Sequence, residues 1–191
     1  MSIKKLIFGL SVFFVLGAVV TAGCGPAAPA MDMPAETAEP SGPSPVTAPA
    51  WLDFELTDVI TGEVFTINDF KGKPVLLESF AVWCPTCLTQ QKQIAELHER
   101  EGDAIIHISI DTDPNETAGK VIDHAERNGF DWYFAVSPAE LTNALIDDFG
   151  LGVVIAPSAP VILINADQSA RLLGSGVKSA ADLLAEIEKG N

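Results

Sequence analysis

Pro74-Val75-Leu76-Leu77-Glu78-Ser79-Phe80-Ala81-Val82-Trp83-Cys84-Pro85-Thr86-Cys87 runs from an apolar stretch into two cysteines separated by two residues. Its first half is apolar apart from Glu78 and Ser79, and reads as a buried strand. Residues 88–101 have helix-forming composition, and Gly102 stands where a helix would stop. The cysteines therefore fall where a strand ends and a helix begins. A cysteine in the first turn of a helix feels unsatisfied N–H groups and the positive end of the macrodipole, and both favour thiolate over thiol. Pro85 suits the first helical position, where a missing N–H leaves no bond unmade. The context is that of a redox pair.

The chain has three cysteines, Cys24, Cys84 and Cys87. A zinc site normally needs four ligands, and no second pair completes one. His98, His107 and His124 show no ligand spacing, so no metal is expected and the three histidines are read as surface or satisfied side chains. Haem attachment needs a histidine directly after the second cysteine, where Leu88 stands. A purely structural Cys84–Cys87 disulfide is the competing reading.

Working outward to the N-terminus, residues 1–23 read as a targeting segment. Lys4 and Lys5 form its basic end, and Leu6 to Val20 an uncharged apolar stretch that is short for a membrane span. Val20-Thr21-Ala22-Gly23-Cys24 resembles the lipobox of prokaryotic lipoproteins, with Thr21 where an aliphatic residue is usual. The resemblance implies lipidation of Cys24. Ordinary cleavage and an uncleaved anchor are the alternatives, and all three export the rest of the chain. Residues 24–50 then read as the lipidated cysteine and a disordered tether. Seven prolines fall between positions 26 and 49, and the composition cannot offset its own ordering entropy.

Residues 51–191 are long enough for one well-cored domain. Residues 54–57 and 63–67 read as an opening hairpin around Ile60-Thr61-Gly62. After the strand and helix at the dithiol come a buried strand at 104–110, a helix at 115–128 closed by Gly129, and an aromatic-rich strand at 130–136. A helix at 138–149, a strand at 161–164 paired in a hairpin with 170–173, and a terminal helix at 179–189 complete the pattern. Apolar strands alternating with helices predict an α/β fold, with a central mixed sheet covered on both faces.

A helix-opening Trp83-Cys84-Pro85-Thr86-Cys87 after a buried strand, and a later proline leading into another buried strand, resemble the thioredoxin superfamily. The leading hairpin, the Asp69-Phe70-Lys71-Gly72-Lys73-Pro74 segment and the inserted helix and strand of residues 115–136 resemble its exported branch, the TlpA-, ResA- and redoxin-like membrane-tethered oxidoreductases. That resemblance implies a thiol–disulfide oxidoreductase with no cofactor beyond the redox-active pair. Cys84 is then the more exposed, attacking cysteine and Cys87 the resolving one. Glu78 matches a buried acid that handles the resolving cysteine's proton, its pKa raised by burial. Trp83 matches the tryptophan before the first cysteine. Pro160 is the candidate for the superfamily's cis-proline, with Pro157 its rival, and Ala159 would present its backbone to a substrate peptide. Substrates would be exported protein thiols or disulfides, with a membrane electron donor or acceptor as second partner.

The domain carries nine basic against 23 acidic residues, a charge of −14 with histidines neutral, which argues against nucleic acid and a polybasic membrane contact. Asp111-Thr112-Asp113-Pro114 reads as turn and capping chemistry rather than a metal site. Two other functions compete. A thiol peroxidase of the peroxiredoxin kind would want a threonine where Ala81 stands and a proline where Leu77 stands. A non-enzymatic copper-handling module would want a downstream histidine partner.

Overall fold

The computed structural model describes residues 48–190. Five strands form the main sheet: β3 (Val75–Phe80), β4 (Ile106–Asp111), β5 (Tyr133–Val136), β6 (Val161–Ile164) and β7 (Ala170–Leu172). Their spatial order is β5-β4-β3-β6-β7. β3, β4 and β5 pair in parallel, whereas β6 runs antiparallel to both of its neighbours, β3 and β7, so the sheet is mixed as expected. A separate two-stranded ribbon joins β1 (Leu56–Thr57) to β2 (Val64–Phe65).

Helices α1 (Pro85–Glu101), α2 (Ala118–Asn128), α3 (Ala139–Phe149) and α4 (Ala180–Glu188) cover both faces. Side chains of a strand alternate between faces. Leu76 and Phe80 of β3 join a cluster with Ile94, Leu97, Val121 and Leu183, from α1, α2 and α4. Val75 and Leu77 join the opposite cluster with Leu141 and Leu145 of α3 and Trp51 and Leu52 of the N-terminal turn. All six β3 residues are buried, because the strand has a neighbour on each side and helices above and below. The dithiol follows its C-terminal end.

Several boundaries move inward from the sequence reading, each for a local reason. The second strand of the hairpin ends at Phe65 rather than 67, because Ile67 opens a 3-10 turn (Ile67–Phe70) in which Asp69 reaches back to the Thr66 N–H at 2.6 Å. The expected helix at 115 starts at 118. Asn115 N–H is held by the Asp113 carboxylate and Glu116 is engaged elsewhere, which leaves that turn outside the helix. Residues 130–132 are not strand. Phe130 N–H returns to Ala125 O to close α2 over Gly129, whose φ of 71° suits a residue without a Cβ. The expected leader and tether, including Cys24, lie outside the described residues except at positions 48–50.

Candidate active site

Pro85 opens α1 at its first turn and Cys84 is the N-cap, its Sγ accepting the Cys87 N–H at 3.3 Å. A sulfur thus takes the place usually held by a serine or aspartate oxygen. Cys87 sits one turn inside, donating from Sγ to Ala156 O at 3.2 Å. Both cysteines are free thiols in the structure. Cys84 is expected to be the more exposed of the two, and the structure buries both, at 1% for Cys84 and 0% for Cys87. Packing with Ala81, Phe80 and Ala156 covers both sulfurs. What distinguishes them is their surroundings. The Cys87 thiol is pushed far above its ordinary range by burial first, and then by Cys84. Cys84 lies beside a surface cavity of about 340 Å³ with Val82, Trp83, Pro85, Leu88, His124 and Arg127 in its walls.

Glu78 lies where the sequence expects it, wholly buried at the middle of β3 and opposite Val161 in the ladder. Burial raises its pKa to about 8, partly offset by Ser109, Gln91 and Lys178. Ser109 Oγ donates to Glu78 Oε2 at 3.0 Å, and Trp132 Nε1 donates to that same Oγ at 3.0 Å. Glu78 Oε1 has no partner, and neither has the amide nitrogen of adjacent Gln91. The Gln91 Oε1 is paired with His124 Nε2 at 2.7 Å. The acid therefore heads a polar line leading through α1 to a histidine that borders the Cys84 cavity.

Trp83 is 59% exposed, and its Nε1 donates to Asp113 Oδ2 at 2.7 Å. Glu116 Oε2 accepts from Val82 N–H at 2.6 Å. Two acids of the β4–α2 loop thus hold the residues that enter the dithiol. Asp111 and Asp113 also make the expected turn bonds, to Asp113 N–H at 2.9 Å and Asn115 N–H at 2.8 Å. Asp111 is buried with its pKa raised to about 7, first by desolvation and further by Glu116 and Asp113.

Ala159 and Pro160 are both buried, whereas Pro157 is exposed. Pro160 O accepts from Ser79 N–H at 3.2 Å, which seats it against β3 beside Glu78. Ala159 does not offer a free backbone as expected. Its N–H returns to Ala156 O at 2.9 Å and its carbonyl accepts from Lys178 Nζ at 2.5 Å. Its φ of 47° is uncommon for a residue with a Cβ.

Four residues near the dithiol escaped the sequence reading. Gln90 and Gln91 lie three and four residues after Cys87, a spacing that puts them on its helix face, and both are buried. Glu116 and Lys178 sit in polar loop contexts that carry no such signal. The histidine reading is corrected at His107, which is buried with neither ring nitrogen paired. Burial holds its pKa down at about 3. Among the described residues, no group of three or more His, Cys, Asp or Glu is arranged to hold a metal ion.

Comparison with known proteins gives this geometry a setting. A thiol:disulfide interchange protein of the thioredoxin family from Chlorobium tepidum superposes with a TM-score of 0.64 at 21% identity, over 78% of this chain and 99% of that one. The exposed lipoprotein thioredoxin Etrx1 of Streptococcus pneumoniae gives 0.56 at 20% identity, over 71% and 98%. These likenesses establish a thioredoxin-like fold. In sequence, the thiol:disulfide interchange protein DsbE of Vibrio cholerae is 36% identical over 58 residues, 30% of this chain and 31% of the relative. An uncharacterized Haemophilus influenzae protein is 30% identical over 98 residues, 51% of this chain and 58% of the relative. The chain thus spans less than two thirds of either curated relative. The profile of the Redoxin family, by contrast, matches residues 45–180, and by that match over most of its length the chain belongs to the Redoxin family.

Proposed function

We propose that the protein is a membrane-tethered, extracytoplasmic thiol–disulfide oxidoreductase that exchanges disulfides with exported protein thiols through Cys84 and Cys87. The observation that carries this reading is the asymmetry of the pair. Cys84 Sγ caps a helix and accepts an N–H, which suits a thiolate, while Cys87 lies deeper beside a buried acid. In the reducing direction the Cys84 thiolate attacks a substrate disulfide, forming a mixed disulfide and releasing one substrate thiolate. Glu78 as carboxylate takes the proton from Cys87, and the new thiolate attacks Cys84 Sγ. The Cys84–Cys87 disulfide forms and the second substrate thiolate leaves. The reverse sequence oxidises a substrate dithiol.

Export and anchoring rest on the leader and Cys24, and the DsbE and exposed-lipoprotein relatives lend support. A membrane electron donor or acceptor would reset the pair after each turnover. Trp83, exposed beside the cavity that Cys84 borders, is the proposed wall for substrate. The peroxidase alternative gains nothing at Ala81, a buried side chain without a hydroxyl. Replacing Cys87 with serine tests the reading, since it leaves attack intact and blocks resolution. Mixed disulfides should then accumulate on Cys84, and a Cys87→Ser chain that traps none contradicts the assignment.

A further inference from the structure

Lys178 is a lysine in an unusual place. It precedes α4, yet its backbone is gripped by the helix that carries the dithiol. Lys178 N–H donates to Gln90 Oε1 at 2.7 Å, and Gln90 Nε2 donates to Lys178 O at 3.1 Å. Gln90 is fully buried, one turn beyond Cys87. From that grip the half-buried side chain runs inward to the carbonyl of Ala159. The chain continues through Pro160, bonded to Ser79 N–H, to Val161, which pairs with Glu78. A buried ammonium is costly unless a charge or several acceptors offset its lost hydration. One carbonyl is a thin supply, and Glu78 is the acid on the far side of that short segment.

We propose that Lys178 is a positioning residue for the resolving step, its ammonium favouring the Glu78 carboxylate that takes the proton from Cys87. The inference rests on the exchange reading above. Burial lowers the Lys178 pKa to about 8 and Glu78 partly restores it, while Glu78 is held at about 8. Two groups of opposite charge type thus titrate in one range and each favours the other's charged form. Glu78 is faced by Cys87 and Gln91 of α1, with His124 of α2 behind Gln91, and by Lys178 before α4. The same face of β4 presents His107, Ser109 and Asp111, while β6 offers apolar side chains only. Of these, Lys178 is the group that carries a positive charge at neutral pH. A purely structural lysine would only brace Ala159 in its left-handed conformation, which a neutral donor would do equally well.

Ellman's disulfide separates the two. With the reduced full chain carrying Cys24→Ala, attack by Cys84 releases a first nitrothiobenzoate and resolution by Cys87 a second. Lys178→Gln keeps a donor for Ala159 and Lys178→Met keeps the length, but both remove the charge. Either should leave the first phase within about two-fold and move the pH midpoint of the second phase upward by about one unit, because Glu78 loses a neighbouring cation. At pH 7 that is a slowing of up to about ten-fold. Lys178→Arg should keep the wild-type midpoint. In a Glu78→Gln background neither Lys178 change should slow the second phase further. An unmoved midpoint, or the same slowing with Glu78 already replaced, overturns the inference alone. A wild-type chain that releases nothing in the first phase contradicts the exchange reading as well.

Discussion

A carboxyl group with no exposed surface in the middle of a β-strand ties the stability of this fold to pH. Glu78 titrates near 8 in the folded state against 4.5 for an ordinary glutamate. Between those values the unfolded chain has lost the proton and the folded chain has kept it. The stabilising contribution is therefore whole below about pH 4.5 and drains away as pH rises to about 8. Glu78→Gln should remove that drain, so the variant gains a few kcal/mol relative to wild type above pH 8 and little at pH 4. Urea unfolding at the two pH values checks this. Asp111, raised to about 7, pulls in the same direction between about 3.8 and 7. His107 pulls the other way: its folded pKa of about 3 makes stability rise with pH from about 3 to 6.5. Since both its ring nitrogens are unpaired, His107→Phe should be neutral or stabilising at pH 5, read from the same unfolding midpoints. Glu78 was legible in the sequence because one acid interrupts an apolar run. Lys178 was not, since a lysine among Gly174, Ser175 and Gly176 reads as an exposed loop residue, and only the fold brings it to Ala159.

At the scale of elements, the helix start and the β4–α2 loop together shape the dithiol. Cys84 is both the proposed nucleophile and the cap of α1. Serine is a good N-cap and alanine a poor one. Cys84→Ser should therefore abolish exchange while keeping thermal stability, whereas Cys84→Ala should lose about 1 kcal/mol as well. Equal stability of the two variants would show that the sulfur does not cap. Asp113 holds the Trp83 indole and Glu116 holds the Val82 N–H. Asp113→Ala should leave the fold intact and increase quenching of Trp83 fluorescence by acrylamide, with exchange slowed by less than about ten-fold. The strands and helices were readable from apolar runs and capping residues, and β6 falls at residues 161–164 as expected. The errors cluster at ends where a neighbouring residue captures the backbone, as Asp69 does at Thr66 and Asp113 at Asn115, and at one of them a distant partner adds to this. Glu116 is spent on Val82, 34 residues away, and that bond has no local signature.

The whole molecule combines an acidic domain with an N-terminal segment proposed to be a leader ending at Cys24. If Cys24 carries the anchor, Cys24→Ala should move the protein from the membrane fraction to the soluble exported fraction with its exchange activity unchanged. Retention on the membrane would contradict a lipid tether. Away from the dithiol, His98, His107, Asp103 and Asp131 border a cavity of about 370 Å³ at the opposite end of the parallel strands. The central claim is that Cys84 and Cys87 cycle between dithiol and disulfide. Its most direct test is the equilibrium reduction potential of the pair, titrated against glutathione or dithiothreitol in the full chain carrying Cys24→Ala. A reversible value between about −270 and −120 mV is predicted; a value well below about −300 mV, with Cys84 unreactive to alkylation, would make the pair a structural disulfide and contradict the account.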